Sequence, residues 1–379
     1  MNRPFLRPVR AIGVSLATVS ALVTGIALVA GTASAQDTIV YKDGQTYPSK
    51  GGSQRITVTE ETYSVIKYDI KTGGGSLSQD VSTSRVAEIR YARKVADYNE
   101  AMEFFNSGSY RDAIEAFTPL PDRRSPHWLK PYSLFHIAES HFRMGDTAGA
   151  ITAFQAFIDA VPQHRFVPKA RQRIGEAQLR MKKLEDARTT FTSLRRDVDS
   201  KGFEPSYRYM ADLGIIGIDE AKGSWSTALA SLQKLQAEVG DEYPEVANEA
   251  RLRIGNVYIS DGQYKQAENF FQSIIDGESP SKDVLYGAYV GLGNAYFAQS
   301  RFDEALKDCF LRVVVLNDRE GDVPVDRLAP ALYWSGRCFD QLRNEKPENG
   351  RFARDLYAEV VRTAPGSKWA EEARKLRRR

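Results

Sequence analysis

The side chains that most often bind metals, move protons or attack carbonyl carbons are scarce in this chain: four histidines and two cysteines. The histidines are His127, His136, His141 and His164. His136 and His141 stand five positions apart, about 140° around a helix, so they do not share the face that a metal pair needs. Cys309 and Cys338 have no histidine near them in sequence. The acid pairs Glu60-Glu61, Asp241-Glu242 and Glu371-Glu372 are adjacent, diverge on a strand or helix, and read as solvated surface. The glycine run Gly73-Gly74-Gly75 has no Lys-Ser or Lys-Thr after it and opens no helix, so it is a hairpin tip and not a phosphate loop. No G-x-S-x-G or zinc-binding motif is present. The expectation is a non-enzymatic protein with no catalytic residue, metal or cofactor. Two asparagines, Asn256 and Asn294, are the periodic polar feature that remains, and their amides suit pairing with a peptide backbone.

Those asparagines belong to a recurring helical pattern. From about residue 93, an alanine is followed four positions later by a large residue: Ala113/Phe117, Ala150/Phe154, Ala187/Phe191, Ala228/Leu232, Ala267/Phe271, Ala305/Cys309 and Ala353/Tyr357. Cys309 breaks the rule of a large apolar residue. Twelve residues before the alanine stands a small residue in five units: Ala101, Ala138, Gly175, Gly255 and Gly293. In the other two units the nearest candidates are Gly214 and Gly336. Two antiparallel helices approach closely only where small residues allow it, and a large side chain one turn on fills the space beside them. One such pair leaves apolar faces bare, and stacking the next pair covers them.

At these residues the chain resembles the tetratricopeptide repeat family. Phe104, Tyr258, Tyr296 and Phe339 occupy the family's first aromatic position, Pro162 and Pro365 its closing proline, and Pro280 lies one residue beyond. The repeat here is longer than the roughly 34 residues of the family. Units 4 and 7 depart most, with Gly217 at the aromatic position of one and the polar insert Asn344–Gly350 in the other. The resemblance implies an α-solenoid of about seven helix pairs over residues 93–379. Ser367 to Arg377 reads as a capping helix at its end. His141 falls at an aromatic core position and reads as a packed ring, and both cysteines fall at core positions of consecutive helices as buried thiols, the alternative being a disulfide between them.

A different pattern precedes the helices. Residues 37–92 read as a small β-barrel-like or β-sheet module. Its expected strands are Thr38–Tyr41, Arg55–Thr59, Tyr63–Ile70 and Val86–Tyr91, with Lys42-Asp43-Gly44 turning the first hairpin. A unit of that size is marginal alone, so it is expected to pack on the helices. Residues 1–35 read as a secretory signal peptide: Arg3, Arg7 and Arg10, then an apolar stretch, then Ala33-Ser34-Ala35 with cleavage after Ala35. The alternative is retention of that stretch as an anchor. Lys and Arg number 52 against 49 Asp and Glu, and the leader holds three arginines and no acid, so the remainder is balanced. That balance gives no support to a nucleic-acid partner. The basic tail Arg374–Arg379 reads as a solvated helix end, its alternative being peripheral contact with an acidic surface or anionic lipid.

The expected localisation is periplasmic or secreted, with no integral membrane span after cleavage. The expected function is a scaffold or adaptor of the bacterial cell envelope that binds a peptide or helix of a protein partner. In the family resembled here, the first helices line the concave groove. That register implies Tyr132, Phe135, Glu139 and Phe142 from unit 2, and Lys169, Gln172, Glu176 and Leu179 from unit 3. Unit 5 contributes Leu252, Asn256 and Ile259, and unit 6 Val290, Asn294 and Phe297. The alternatives are a structural subunit of an envelope assembly, and an accessory protein whose β module binds a ligand such as glycan.

Overall fold

The computed structural model describes residues 36–49, 54–240, 242–277, 280–320, 323–344 and 346–377. The leader and the last two arginines lie outside the described residues. From Gln36 onward the chain forms one compact unit.

Six strands come first: β1 (Thr38–Tyr41), β2 (Thr46–Tyr47), β3 (Arg55–Glu61), β4 (Val65–Thr72), β5 (Gly75–Ser82) and β6 (Val86–Arg90). They form two antiparallel three-stranded sheets, ordered β2-β1-β6 and β3-β4-β5, and not a closed barrel. β5 escapes sequence reading because it has no apolar face. It is an edge strand on which Val81 alone is buried. The Asp37 carboxylate ties the sheets together, accepting from the backbone N–H of Val58 at 2.8 Å and of Ala92 at 2.9 Å. A bulge between Val58 and Glu60 breaks the alternation of β3. Since a one-residue slip moves every later side chain to the other face, Glu61 turns inward and is 8% exposed. This corrects its reading as surface; Glu60 stays outside, paired with Lys67 at 2.7 Å.

The helices follow as seven antiparallel pairs: α1 (Ala96–Asn106) with α2 (Tyr110–Phe117), α3 (Leu129–Arg143) with α4 (Thr147–Ala160), α5 (Val167–Arg180) with α6 (Leu184–Lys201), α7 (Ser206–Ala221) with α8 (Trp225–Val239), and α9 (Pro244–Ser260) with α10 (Tyr264–Ile275). In the sixth, α11 (Lys282–Ala298) pairs with α12 (Phe302–Glu304), a π-helical turn (Ala305–Phe310) and α13 (Leu311–Glu320). The seventh joins α14 (Val325–Gln341) to α15 (Asn349–Thr363), and α16 (Lys368–Arg377) caps the array. Trp369 of α16 packs on Tyr333 and Trp334, with ring centres 5.2 and 6.2 Å apart. The polar insert of pair 7 is stitched down by buried Asn349, whose Nδ2 donates to the Leu342 carbonyl at 2.8 Å.

The first six pairs turn the same way. The second residue after each first helix adopts positive φ: Gly108, Gly145, Gly223 and Gly262 in pairs 1, 2, 4 and 5, and Lys182 (58°) and Ser300 (59°) in pairs 3 and 6. The next amide then donates to the carbonyl five residues back, as Ser109 N–H does to Phe104 and Gln263 N–H to Tyr258, closing a Schellman motif.

Packing between pairs follows the small-residue positions, with two corrections of register. A methyl at Gly175 would lie 2.6 Å from the Phe191 ring, and one at Gly255 would lie 2.3 Å from Phe271. The same rings also lie against the next first helix, since a methyl at Gly214 would stand 2.4 Å from Phe191 and one at Gly291 2.2 Å from Phe271. Gly214 is therefore the seat for the preceding pair's ring, not the small residue of its own pair. The second correction concerns Cys309. The π-helical turn adds one residue per turn, and this places Phe310, not Cys309, over Gly293 at 2.6 Å. Both side chains are fully buried.

First helices of successive pairs pack on one another, α5 on α7 and α9 on α11, and form the inner layer. The array also meets itself. Pro365 lies 3.6 Å from the Cα-directed methyl position of Gly108, and the Gly366 carbonyl 3.5 Å from that of Gly145, so the loop after α15 rests on the turns of pairs 1 and 2.

Candidate functional site

A pocket of about 340 Å3 opens on the inner layer where the β module meets pairs 1 to 4. Its walls come from first helices, the loops that precede them and the β module: Phe105 of α1, Phe135, His136, Glu139 and Arg143 of α3, Lys169 and Arg173 of α5, and Tyr207 of α7. The loop residues Arg165, Phe166 and Glu204 join them, as do Tyr63, Thr83 and Val86 of the β module.

The β module is held there by specific contacts. Tyr63 N–H donates to the Gln163 carbonyl at 2.9 Å, and the Tyr63 and Phe203 rings meet edge to face at 4.9 Å. Arg165 donates to the Ala87 carbonyl at 3.1 Å, and Lys42 reaches Glu204 at 2.5 Å. Inward-turned Glu61 anchors the centre. It accepts from the hydroxyls of Tyr91 and Tyr132, the latter at 3.0 Å, and lies 3.7 Å from Arg165 and 3.9 Å from His164. Burial alone would raise this carboxyl. His164, Arg165 and the Tyr91 hydroxyl outweigh burial and hold it below the usual range. Tyr132, placed in the groove by register, is thus engaged in this anchor.

The floor of the pocket is a charged network. Glu139, 5% exposed, accepts from Arg143 Nε at 3.1 Å and from Arg173 Nε at 3.2 Å. Arg173 Nη1 reaches Glu176 at 2.7 Å, Gln172 Nε2 reaches Glu176 at 2.7 Å, and Lys169 Nζ reaches Gln172 at 3.2 Å. The arginines lie over aromatic faces: Arg143 over Phe105 at 4.7 Å, and Arg173 and Arg180 over Phe142 at 4.6 and 4.1 Å. Among the described residues, Lys169 is the one pocket-lining cation with no carboxylate within ion-pair distance, and Arg180 beside the pocket has none either. Burial, then the neighbouring Arg173, lowers the pKa of Lys169 below the usual lysine value, with Glu176, Glu139 and Glu245 offsetting part of that.

The residues expected from register therefore divide. Phe135, Glu139 and Lys169 line the pocket, and Gln172 and Glu176 complete the network beneath it. Phe142 is 4% exposed under two guanidinium groups, and Leu179 packs on Gly217. Leu252 and Val290 are interior, at 4% and 9% exposure, because Leu252 fills the space left by Gly287 of the next first helix. They are scaffold and not free groove residues. Ile259 packs beside the core of those pairs, and Asn256 is exposed. Asn294 is half-buried, with its Oδ1 sealed and without a hydrogen-bond partner. Phe297 packs against Phe302 and Trp334, at 5.0 and 4.8 Å. None of these last four lines the pocket. Missed in the sequence were Arg143, Arg165 and Arg173, which sit among ordinary surface-like charges until folding brings three segments together.

The histidines also fall into place. The packed ring is His136, not His141: it stacks on Phe117 at 5.5 Å and meets Phe105 edge-on at 5.0 Å. Burial, helped by the charge of Arg143, lowers its pKa to about 4. His141 is half-buried and bonds Asp146, the N-cap of α4, at 2.8 Å, in space left by Gly149. His164 is buried against Phe166, Phe157 and Tyr132, and His127 packs edge-on to Tyr91. Among the described residues no group of three or more His, Cys, Asp or Glu is placed to hold a metal ion, and no helix is long and apolar enough to cross a membrane. Both cysteines are buried free thiols. Burial pushes Cys309 up to about 12 and Cys338 well above the ordinary range, which leaves neither as a thiolate nucleophile at neutral pH.

Residues 132–164 and 249–276 match the tetratricopeptide repeat. No curated protein matches the chain. Among solved structures, a Rap protein complexed with Competence and Sporulation Factor is 16% identical, with a TM-score of 0.45 over 73% of this chain and 75% of that one. The apo form of the quorum sensor NprR from B. thuringiensis is 13% identical, with a TM-score of 0.41 over 74% and 78%. A tetratricopeptide repeat protein from Parabacteroides merdae is 16% identical, with a TM-score of 0.32 over 66% and 99%.

Proposed function

We propose that this chain is a non-enzymatic binding scaffold of the bacterial cell envelope, exported through a leader cleaved after Ala35, which holds a segment of a protein partner in the inner pocket. One observation carries this reading: the pocket between the β module and pairs 1 to 4 joins an aromatic wall (Phe105, Phe135, Phe166, Tyr207) to a charged floor centred on buried Glu139. Apolar walls with a few fixed polar groups are the usual make-up of a binding site. The repeat matched at residues 132–164 includes Glu139 and Arg143, the part of that floor that comes from α3. The β module serves as the third wall of the site.

Site-specific photocrosslinking in the native host tests this. A photoreactive residue at Tyr207, on the pocket wall, gives a discrete protein adduct, and one at Lys234, exposed on α8, does not. Adducts from Lys234 alone, or none from Tyr207, would overturn the pocket as the partner site. Sequencing the N-terminus of the protein from that host gives Gln36 as the first residue; a chain that keeps residues 1–35 in the cytoplasm refutes export.

A further inference from the structure

Each of the two three-stranded sheets has two edges, and three of these four are protected. On the outer side of β3, Asp37 donates its N–H to the Ile56 carbonyl at 3.2 Å and accepts from Val58 N–H at 2.8 Å. On β6, the Ala87 carbonyl accepts from Arg165 at 3.1 Å. β2 is two residues long, with Pro48 directly after it. β5 is the exception. It runs eight residues in unbroken register with β4 and holds no proline, lysine or arginine. Among the described residues its backbone bonds to no strand but β4. Sheets ordinarily blunt such an edge with those residues or with a bulge, because its unpaired N–H and C=O groups template another strand.

The chemistry of that edge selects its partner. The two-residue turn at Gly73-Gly74 makes Thr72 and Gly75 the first bonded pair. Alternation then points the backbone groups of Leu77, Gln79 and Val81 at β4, and those of Ser76, Ser78, Asp80 and Ser82 outward. Leu77, paired with Ile70 on the core side, is nevertheless 53% exposed. The strand also reads symmetrically about Gln79: Leu77 matches Val81, Ser78 matches Asp80, and Ser76 matches Ser82. An antiparallel copy related by a two-fold axis at Gln79 sets Leu77 opposite Val81 on one face. On the other face it sets Asp80 opposite a Ser78 hydroxyl and not opposite a second Asp80. All four outward residues are then paired, through about eight backbone hydrogen bonds. We propose that β5 is a dimerisation edge, on which β5 of a second copy of this chain adds antiparallel about Gln79. The product is a continuous sheet running β3-β4-β5-β5-β4-β3 across two molecules. A seam one strand wide is smaller than a standard interface of roughly 1,600 Å2, so the dimer forms at micromolar concentrations or above.

Sedimentation velocity tests this on the chain from Gln36 onward, which is one compact unit. From micromolar to hundreds of micromolar it shows a reversible monomer–dimer equilibrium. Ser78→Pro removes an outward N–H that β4 does not use, and Leu77→Lys sets a cation at the seam. Each weakens association about tenfold or more with the far-UV spectrum unchanged. Leu77→Lys, at an exposed position, keeps the test valid where the proline disturbs folding. Gln79→Cys supplies the positive test. The axis makes Gln79 and its copy a non-hydrogen-bonded pair with Cα atoms about 4.5 Å apart, within disulfide reach. Both native cysteines are buried, so under mild oxidation Gln79→Cys crosslinks to its copy faster than Lys234→Cys, exposed on α8, and adding Leu77→Lys removes the difference. A monomer throughout the concentration range overturns the proposal. So does a dimer that ignores both substitutions and crosslinks no faster at Gln79 than at Lys234. A photoreactive residue at Gln79 that captures a different protein in the native host, in place of a second copy, overturns it as well.

Discussion

Phe310, and not Cys309, should behave as the large side chain that locks pair 6. Phe310 is fully buried and its ring would meet a methyl at Gly293 at 2.6 Å, while Cys309 Cβ would meet that methyl at 3.0 Å. Truncating a fully buried Phe costs about 3–5 kcal/mol from lost burial and the cavity left behind, so Phe310→Ala falls in that range. Cys309→Ala removes one sulfur and costs about 1 kcal/mol. Gly293→Ala separates the two further. In the wild type the new methyl overpacks against the ring, at about 1–3 kcal/mol, which outweighs the roughly 1 kcal/mol that alanine gains over glycine inside a helix. With Phe310→Ala the ring is gone, so Gly293→Ala becomes neutral or stabilising. The two changes are then non-additive by about 1–3 kcal/mol. Urea unfolding of the four proteins of this cycle, followed by far-UV circular dichroism, gives the coupling, provided the slopes agree so that midpoints report stability. A cost for Cys309→Ala equal to that of Phe310→Ala would refute the π-helical register. So would a coupling of Gly293 to Cys309 in place of Phe310.

Three further outcomes follow from the same geometry. Lys182→Gly and Ser300→Gly each raise stability by up to about 1 kcal/mol in urea unfolding, because these exposed residues hold the positive φ that glycine fills in four other turns. His136 titrates at about 4 in the folded chain against roughly 6.5 unfolded. Its contribution is therefore full above pH of about 6.5 and is lost as pH falls through about 4, near 2 kcal/mol between pH 7 and 4.5. His136→Phe should flatten that part of the stability–pH curve, and an unchanged difference between the two pH values would count against a buried neutral imidazole. A methyl at Gly366 would lie 2.3 Å from the Arg143 carbonyl oxygen, so Gly366→Val parts the loop after α15 from the turns of pairs 1 and 2. Small-angle scattering should show a larger radius of gyration, with far-UV helicity retained.

The amino-acid sequence by itself determined the repeat. Alternation of small and large residues dictates helix pairing, since close approach and space filling are local demands that each unit restates. The change from strand to helix near residue 93 is equally local, set by side-chain period. Positions defined by counting failed where the backbone adds a residue. The bulge in β3 turned Glu61 from surface to buried anchor, and the π-helical turn put Phe310 over Gly293 while leaving Cys309 buried beside it. Gly214 was assigned to its own pair because a small residue carries no mark of which neighbour's ring it seats. β5 was invisible because a polar edge strand buries one side chain only. The pocket was decided by tertiary structure alone. Phe135, Glu139 and Lys169 could be placed by helical register, but Arg165, Glu204 and Tyr63 reach it from separate loops. What makes the site, a charged network set beside aromatic walls, exists only after folding brings these segments together. The histidines and cysteines, the side chains best suited to chemistry, became packing and capping groups on folding, and Glu61 became an anchor.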